Sequence, residues 1–109
     1  MNIIDYTTSG GKNIIMEYID GLPKKEQSEA LRIRHAIQAN GVDAFTTLNT
    51  RQLKGKLWEI KFSQNRIMYV IADAKNVYFL HACQKQKNKA EKQDLEKAIS
   101  RAKQVNLKI

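Results

Sequence analysis

Apolar positions recur at different spacings along the chain, and the changes in spacing mark its elements. "NIIDYTT" is a short β-type run closed by Gly10-Gly11. From Lys12 onward, Ile14, Ile15, Tyr18, Ile19 and Leu22 fall at helical spacing on one face, and Gly21 and Pro23 stop that helix. The spacing predicts a second helix from Lys24 to Asn40. Ala30, Ile33, Ala36 and Ile37 form its buried stripe, and Lys24, Lys25, Glu26, Arg32 and Arg34 face water. Asn40-Gly41 is its C-terminal stop. The short Gly21-Leu22-Pro23 connection makes the two helices an antiparallel pair.

Residues 42 to 56 carry no regular period and read as a loop. Three β-type runs follow, "LWEIKF", "RIMYVIA" and "VYFLHAC", separated by "SQN" and "DAKN". Gaps this short join antiparallel neighbours. From about Ala90 to Val105 helical spacing returns, with Leu95, Ala98, Ile99, Ala102 and Val105 on one side and lysines dominating the other. The predicted fold class is α+β, in the order β-α-α-β-β-β-α. An antiparallel sheet carries the helices on one face, and the 109 residues form one domain.

Alternation across the first two runs fixes their register. Trp58 and Ile60 share a face, as do Ile67, Tyr69 and Ile71; matching like with like pairs Ile60 with Ile67 and Lys61 with Arg66. Two cations directly opposite each other repel, so the register calls for an anion across both side chains. Glu59, on the same face as Lys61, is the ordinary alternative source of neutralisation. Lys85, Lys87 and Lys89 follow the third run in "HACQKQKNK" and extend the cationic group at the same end of the sheet. Trp58 and Tyr69 read as core, His35 as surface, and Cys83 as a small buried hydrophobe.

Charge sharpens this picture. The net charge is +8. Residues 1–53 hold six Lys/Arg and six Asp/Glu, and residues 54–109 hold thirteen and five, so the whole excess lies in the second half. A localised basic field attracts polyanions. Apolar content of 42% and charged content of 28% fit a globular chain. Without a long apolar run or a basic, apolar leader, and with one cysteine, the expectation is a cytoplasmic protein with no membrane association. Two separated histidines and one cysteine predict no metal site, and no cofactor motif is present.

"LKGKLWEIKFSQNRIMYVIADAKNVYFLHACQKQ", followed by the basic "AEKQDLEKAISRAKQ", resembles the RelE/ParE superfamily of toxins, and within it the phage-protein-like branch of HigB. The resemblance covers residues 53 to 105, with the earlier strand and helix pair agreeing in order and length. It implies a RelE-like fold and the toxin of a type II toxin–antitoxin system, acting as a ribosome-dependent mRNA endonuclease that blocks translation. The implied partners are the ribosome with its mRNA and a cognate HigA-like antitoxin with a helix-turn-helix, in a hetero-oligomeric complex. The family's phosphate-handling residues fall on Lys61, Arg66 and near Lys85. The sequence departs from RelE at Glu59, where that toxin has a lysine, at Gln86 in place of an arginine, and at Lys92 in place of a tyrosine.

Metal-independent cleavage by 2′-OH attack needs a proton acceptor, charge stabilisation at phosphorus and a proton for the leaving oxygen. Arg66 suits a two-pronged phosphate clamp, since guanidinium is no base. Its replacement by alanine is expected to lower cleavage without unfolding the chain. Lys61 is the candidate base, provided neighbouring cations make it shed a proton; Glu59 is the rival base. Lys85 or Lys87 would stabilise the transition state, and Lys54, Lys56, Lys87 and Lys89 would bind RNA. His81 is a secondary acid–base candidate inside an apolar run, where a packed, hydrogen-bonded role competes. Two other functions fit the same features: a ParE-like inhibitor of DNA gyrase, and a non-toxic RNA-binding module.

Overall fold

Helix α1 (Ile14–Asp20) starts where Asn13 caps it, accepting from the Met16 amide at 2.9 Å. The same Asn13 donates to Asp5 at 3.0 Å, tying the helix start to strand β1 (Asn2–Asp5). Helix α2 (Lys24–Asn40) ends at Gly41, whose φ of 65° favours glycine. Ala30, Ile33 and Ile37 are its buried stripe. Arg34, expected in water, is instead largely covered. It holds Asp5 through two bonds of 2.8 and 2.9 Å and lies over the Phe79 ring, fastening α2 to β1. Glu26 is also half-buried, for a reason given below.

The computed structural model describes residues 1–85 and 89–109, the side chains of 89 and 90 excepted. After α2 come a 3-10 turn (Gly41–Thr46) and strands β2 (Thr50–Lys54), β3 (Leu57–Phe62), β4 (Asn65–Asp73) and β5 (Asn76–Gln84), then helix α3 (Lys89–Gln104). The stretch expected to be a loop therefore holds a 3-10 turn and an edge strand. "RQLK" is too polar to show apolar alternation, and it pairs with β3 across a turn at Gly55, φ 55°. The sheet order is β1-β5-β4-β3-β2. Four strands run antiparallel, and β1 joins the edge parallel to β5, so the sheet is mixed rather than wholly antiparallel.

The helices do not share one face. Ile15, Ile19, Ala30, Ile33 and Ile37 of the N-terminal pair pack with Ile60, Phe62, Ile67, Tyr69 and Phe79. On the opposite face, Ala98 and Ala102 of α3 pack with Leu57, Met68, Val70 and Leu80. The alternate residues of β3 and β4 are apolar enough to demand a second cover, and α3 supplies it. A bulge decides which residues of β5 meet α3. Met68 pairs with His81 and Tyr69 with Phe79, leaving Leu80 as the extra residue. Strict alternation would place His81 and Cys83 with Phe79; the bulge shifts both to the α3 side.

Phe79 is fully buried between the sheet and the helix pair. Phe79→Ala should lower unfolding free energy by about 3–5 kcal/mol in urea titration; a loss below about 1 kcal/mol would contradict this packing.

Candidate functional site

The β3–β4 hairpin closes with Phe62 opposite Asn65 and a two-residue turn, Ser63-Gln64. Ser63 alone takes positive φ, 52°, as at the first position of a type II′ turn. Lys61 pairs with Arg66 and Ile60 with Ile67, the register expected from alternation. Asn65 and Arg66 then point to opposite faces. Buried Asn65 accepts from the Tyr18 hydroxyl at 2.6 Å and donates to Glu26 at 2.6 Å. That contact is why Glu26 turns inward, and burial pushes the Tyr18 hydroxyl up to about 12. The hairpin end is thereby pinned to both N-terminal helices.

On the other face, the anion that balances the Lys61–Arg66 pair belongs to the chain itself. Glu59 is completely buried, and its Oε1 accepts from Arg66 Nε at 2.5 Å. Its Oε2 lies 2.9 Å from Arg51 Nε and 3.9 Å from Lys61 Nζ, as ion-pair contacts without hydrogen-bond geometry. Glu91, from the first turn of α3, accepts from Arg66 Nη2 at 3.1 Å and from Arg51 Nη2 at 3.3 Å. The Arg66 side chain is only 2% exposed. Burial works against its charge, but the hydrogen bond and charge of Glu59, with Glu91 adding to them, hold its pKa above the usual value. Its Nη1 is buried with no partner among the described residues.

A polar cavity of about 260 Å³ opens at this hairpin end. Lys61, Arg66 and Lys85 line it, together with Asn49, Phe62, Ser63, Gln64 and Asn65. Among the described residues no carboxylate lines it. Lys85 reaches it because its amide donates to the Gln64 carbonyl at 2.7 Å, carrying the end of β5 alongside the turn. The volume is below that of an ordinary metabolite cleft, about 300 Å³ upward, and suits one phosphate of a longer chain.

Other sequence candidates go elsewhere. Leu57 lies four strand positions from Lys61, roughly 13 Å, and Lys54 and Lys56 lie beyond it, so the sheet takes both away from the polar cavity. Lys56 instead borders a second, largely apolar cavity of about 430 Å³ with Phe45, Trp58 and Tyr69. Trp58 is 36% exposed there rather than core, while Tyr69 is buried and stacks on Phe45 with centroids 4.9 Å apart. This cavity is larger, but its apolar walls and single cation make it a poor anion site. Lys87 and the side chain of Lys89 lie outside the described residues. Glu59 does not line the polar cavity and serves as the buried counter-ion, which leaves it no access to a substrate.

His81 is also remote from the cavity. Its Nε2 lies 2.8 Å from Asp94 and its Nδ1 2.8 Å from Arg101. Arginine only donates, so Nδ1 must accept and Nε2 carries the proton toward Asp94. Burial, joined by the Arg101 charge and opposed in part by Asp94, holds the imidazole below its ordinary 6.5. Cys83, Asp94 and His81 bring possible ligand atoms within 4.8 Å of one another, a grouping that sequence spacing concealed. A metal at Nε2 would want Nδ1–H as a donor, and Arg101 already donates there. Burial and Asp94 push the Cys83 thiol up to about 12, which opposes the thiolate a metal requires. His81, held between Asp94 and Arg101, is a hydrogen-bonded support for α3.

Residues 17–103 match the family model described as Phage derived protein Gp49-like (DUF891). The chain belongs to that family. Comparison with curated proteins gave no match. The matched span of this Gp49-like chain contains both the polar cavity and the whole Arg51–Glu59–Arg66–Glu91 cluster, and it leaves out β1.

Because His81 is neutral when folded and titrates near 6.5 when unfolded, folding stability should be greatest above that value. It should decline as pH falls toward the lower folded pKa. Urea midpoints from pH 8 to 5 should fall more steeply for the parent than for His81→Gln, and ¹⁵N spectra should show an unprotonated Nδ1. A protonated Nδ1 in the neutral ring would contradict the arrangement.

Proposed function

We propose that this Gp49-like protein is a RelE/HigB-type toxin that cleaves mRNA on the ribosome, with the polar cavity as its phosphate site. The single observation that carries the reading is the lining of that cavity: three cations converge on it and no described carboxylate does. A localised cationic pocket with neutral amide and hydroxyl neighbours favours a phosphodiester over a metabolite or a cationic ligand. The α+β architecture, with two N-terminal helices and one C-terminal helix around a five-stranded sheet, is compatible with the RelE-like fold that the resemblance implies. The antitoxin, ribosome and hetero-oligomeric complex enter on the same resemblance.

In the proposed reaction the ribose O2′ bonds to phosphorus and the P–O5′ bond breaks, giving a 2′,3′-cyclic phosphate and a 5′-hydroxyl. Lys61 and Lys85 stand at the accessible rim and are assigned the proton movements and the stabilisation of phosphorane charge. Arg66 backs the cavity. Its burial changes one expectation: removing it strands the buried Glu59 carboxylate, so Arg66→Ala should destabilise the fold by about 3–5 kcal/mol and is a poor probe of chemistry.

Lys61→Ala and Lys85→Ala are the better probes. Each should lower cleavage by about 100-fold while thermal unfolding stays within a few degrees of the parent. Induced expression followed by mapping of mRNA ends, with purified ribosomes added or withheld, reads the activity. Cuts within translated codons that disappear in either variant support the proposal. Intact transcripts with a supercoiling defect would replace it with the gyrase reading, and binding without cleavage would replace it with the RNA-binding module.

A further inference from the structure

Arg66 has an inner and an outer edge. Glu59 takes Nε from within the sheet. The outer edge, formed by the two Nη atoms, is half satisfied: Nη2 donates to Glu91, and Nη1 is buried without a partner among the described residues. Guanidinium binds phosphate best through two parallel N–H donors, and this edge holds a carboxylate on only one. Glu91 is 40% exposed, whereas Arg66 is 2% exposed. Solvent therefore reaches the carboxylate far more than the guanidinium it pairs with.

Resting on the phosphate-site reading above, we infer that Glu91 is an internal competitor: its carboxylate occupies the outer edge of Arg66 until a substrate phosphate displaces it. Displacement costs little, because a half-exposed carboxylate regains water as it leaves. The incoming phosphate gains both Nη donors and the Lys61 and Lys85 charges around the same cavity. Arg51 keeps its contact with Glu59 and so holds the buried charge balanced during the exchange. A phosphodiester carries one charge, as the carboxylate does, so the second Nη donor and the Lys61 and Lys85 charges, rather than greater anionic charge, decide the exchange. Glu91 is thus a specificity-determining residue that reserves the clamp for phosphate-type anions. α3 can release the carboxylate without undocking, since its buried anchors, Ala98 and Ala102, sit about two and three turns further along the helix.

Titration with inorganic phosphate, followed by calorimetry and by NMR of the Arg66 Nε–H and Glu91 carboxylate carbon, tests the inference without relying on cleavage. Glu91→Gln should bind phosphate about five- to tenfold more tightly than the parent. Glu96→Gln removes the same charge from an exposed position on α3 and should change affinity less than twofold. In the parent protein, the Glu91 carboxylate resonance should move toward that of a solvated side chain in step with saturation; this readout stands even if the variant folds poorly. Phosphate binding in the parent with an unmoved Glu91 resonance, or equal gains in both variants, overturns the competitor role and leaves the phosphate site intact. No phosphate binding to parent or variant overturns the phosphate site itself, and the competitor with it.

Discussion

A carboxylate with no exposure to water, Glu59, sits among Arg66, Arg51 and Lys61 on β3, beside the edge strand β2. Most of the arrangement around the cavity follows from it. Burying an ion costs several kcal/mol unless opposite charge and hydrogen bonds restore what water supplied. Arg66 meets that demand from the next strand and Arg51 from the edge strand. The cross-strand approach of Lys61 and Arg66 is tolerable only because this anion lies beside them. α3 completes the set through Glu91, so the helix is held to the sheet by charge at its start and by Ala98 and Ala102 further along.

The hairpin end is fixed from two directions. Asn65 fastens it to α1 and α2, and Arg66, its neighbour in sequence, fastens it to β3 and α3. Consecutive residues of a strand face opposite ways, so two adjacent positions suffice to lock the turn between both layers. A cavity built on such a turn keeps its cations in place before any ligand arrives, and that preorganisation is what electrostatic catalysis or tight anion binding requires. Internal ion pairing does not use up the positive field: Lys61 stays partly exposed and Lys85 is exposed.

Alternation made the central hairpin legible. The Lys61–Arg66 register follows from two apolar faces that tolerate no slip, and helix α2 from its stripe and its Asn-Gly end. Strand β2 was illegible because "RQLK" pairs at an edge through its backbone, with little apolar signal; Gly55 between two β-type stretches was the available clue. The position of α3 could have been read from Leu57, Met68 and Val70, which are apolar on the face left open by α1 and α2. Arg51, Glu91, Asp94 and Arg101 carried no such signal. Their partners lie 8 to 40 residues away in sequence, and the bulge at Leu80 shifts His81 out of the phase that alternation assigns. The balancing anion was deducible as a requirement, and only the fold identifies it as Glu59 rather than a ligand.

A double-mutant cycle across Glu59 and Arg66 tests this account most directly. Glu59→Leu, Arg66→Met and the pair together would be compared with the parent by urea unfolding. The account expects a coupling energy of at least about 2 kcal/mol, with the double variant more stable than one of the single variants because neither charge is then stranded. Additive losses, with coupling below about 0.5 kcal/mol, would mean that the two charges do not depend on each other and would contradict the central role of the pair.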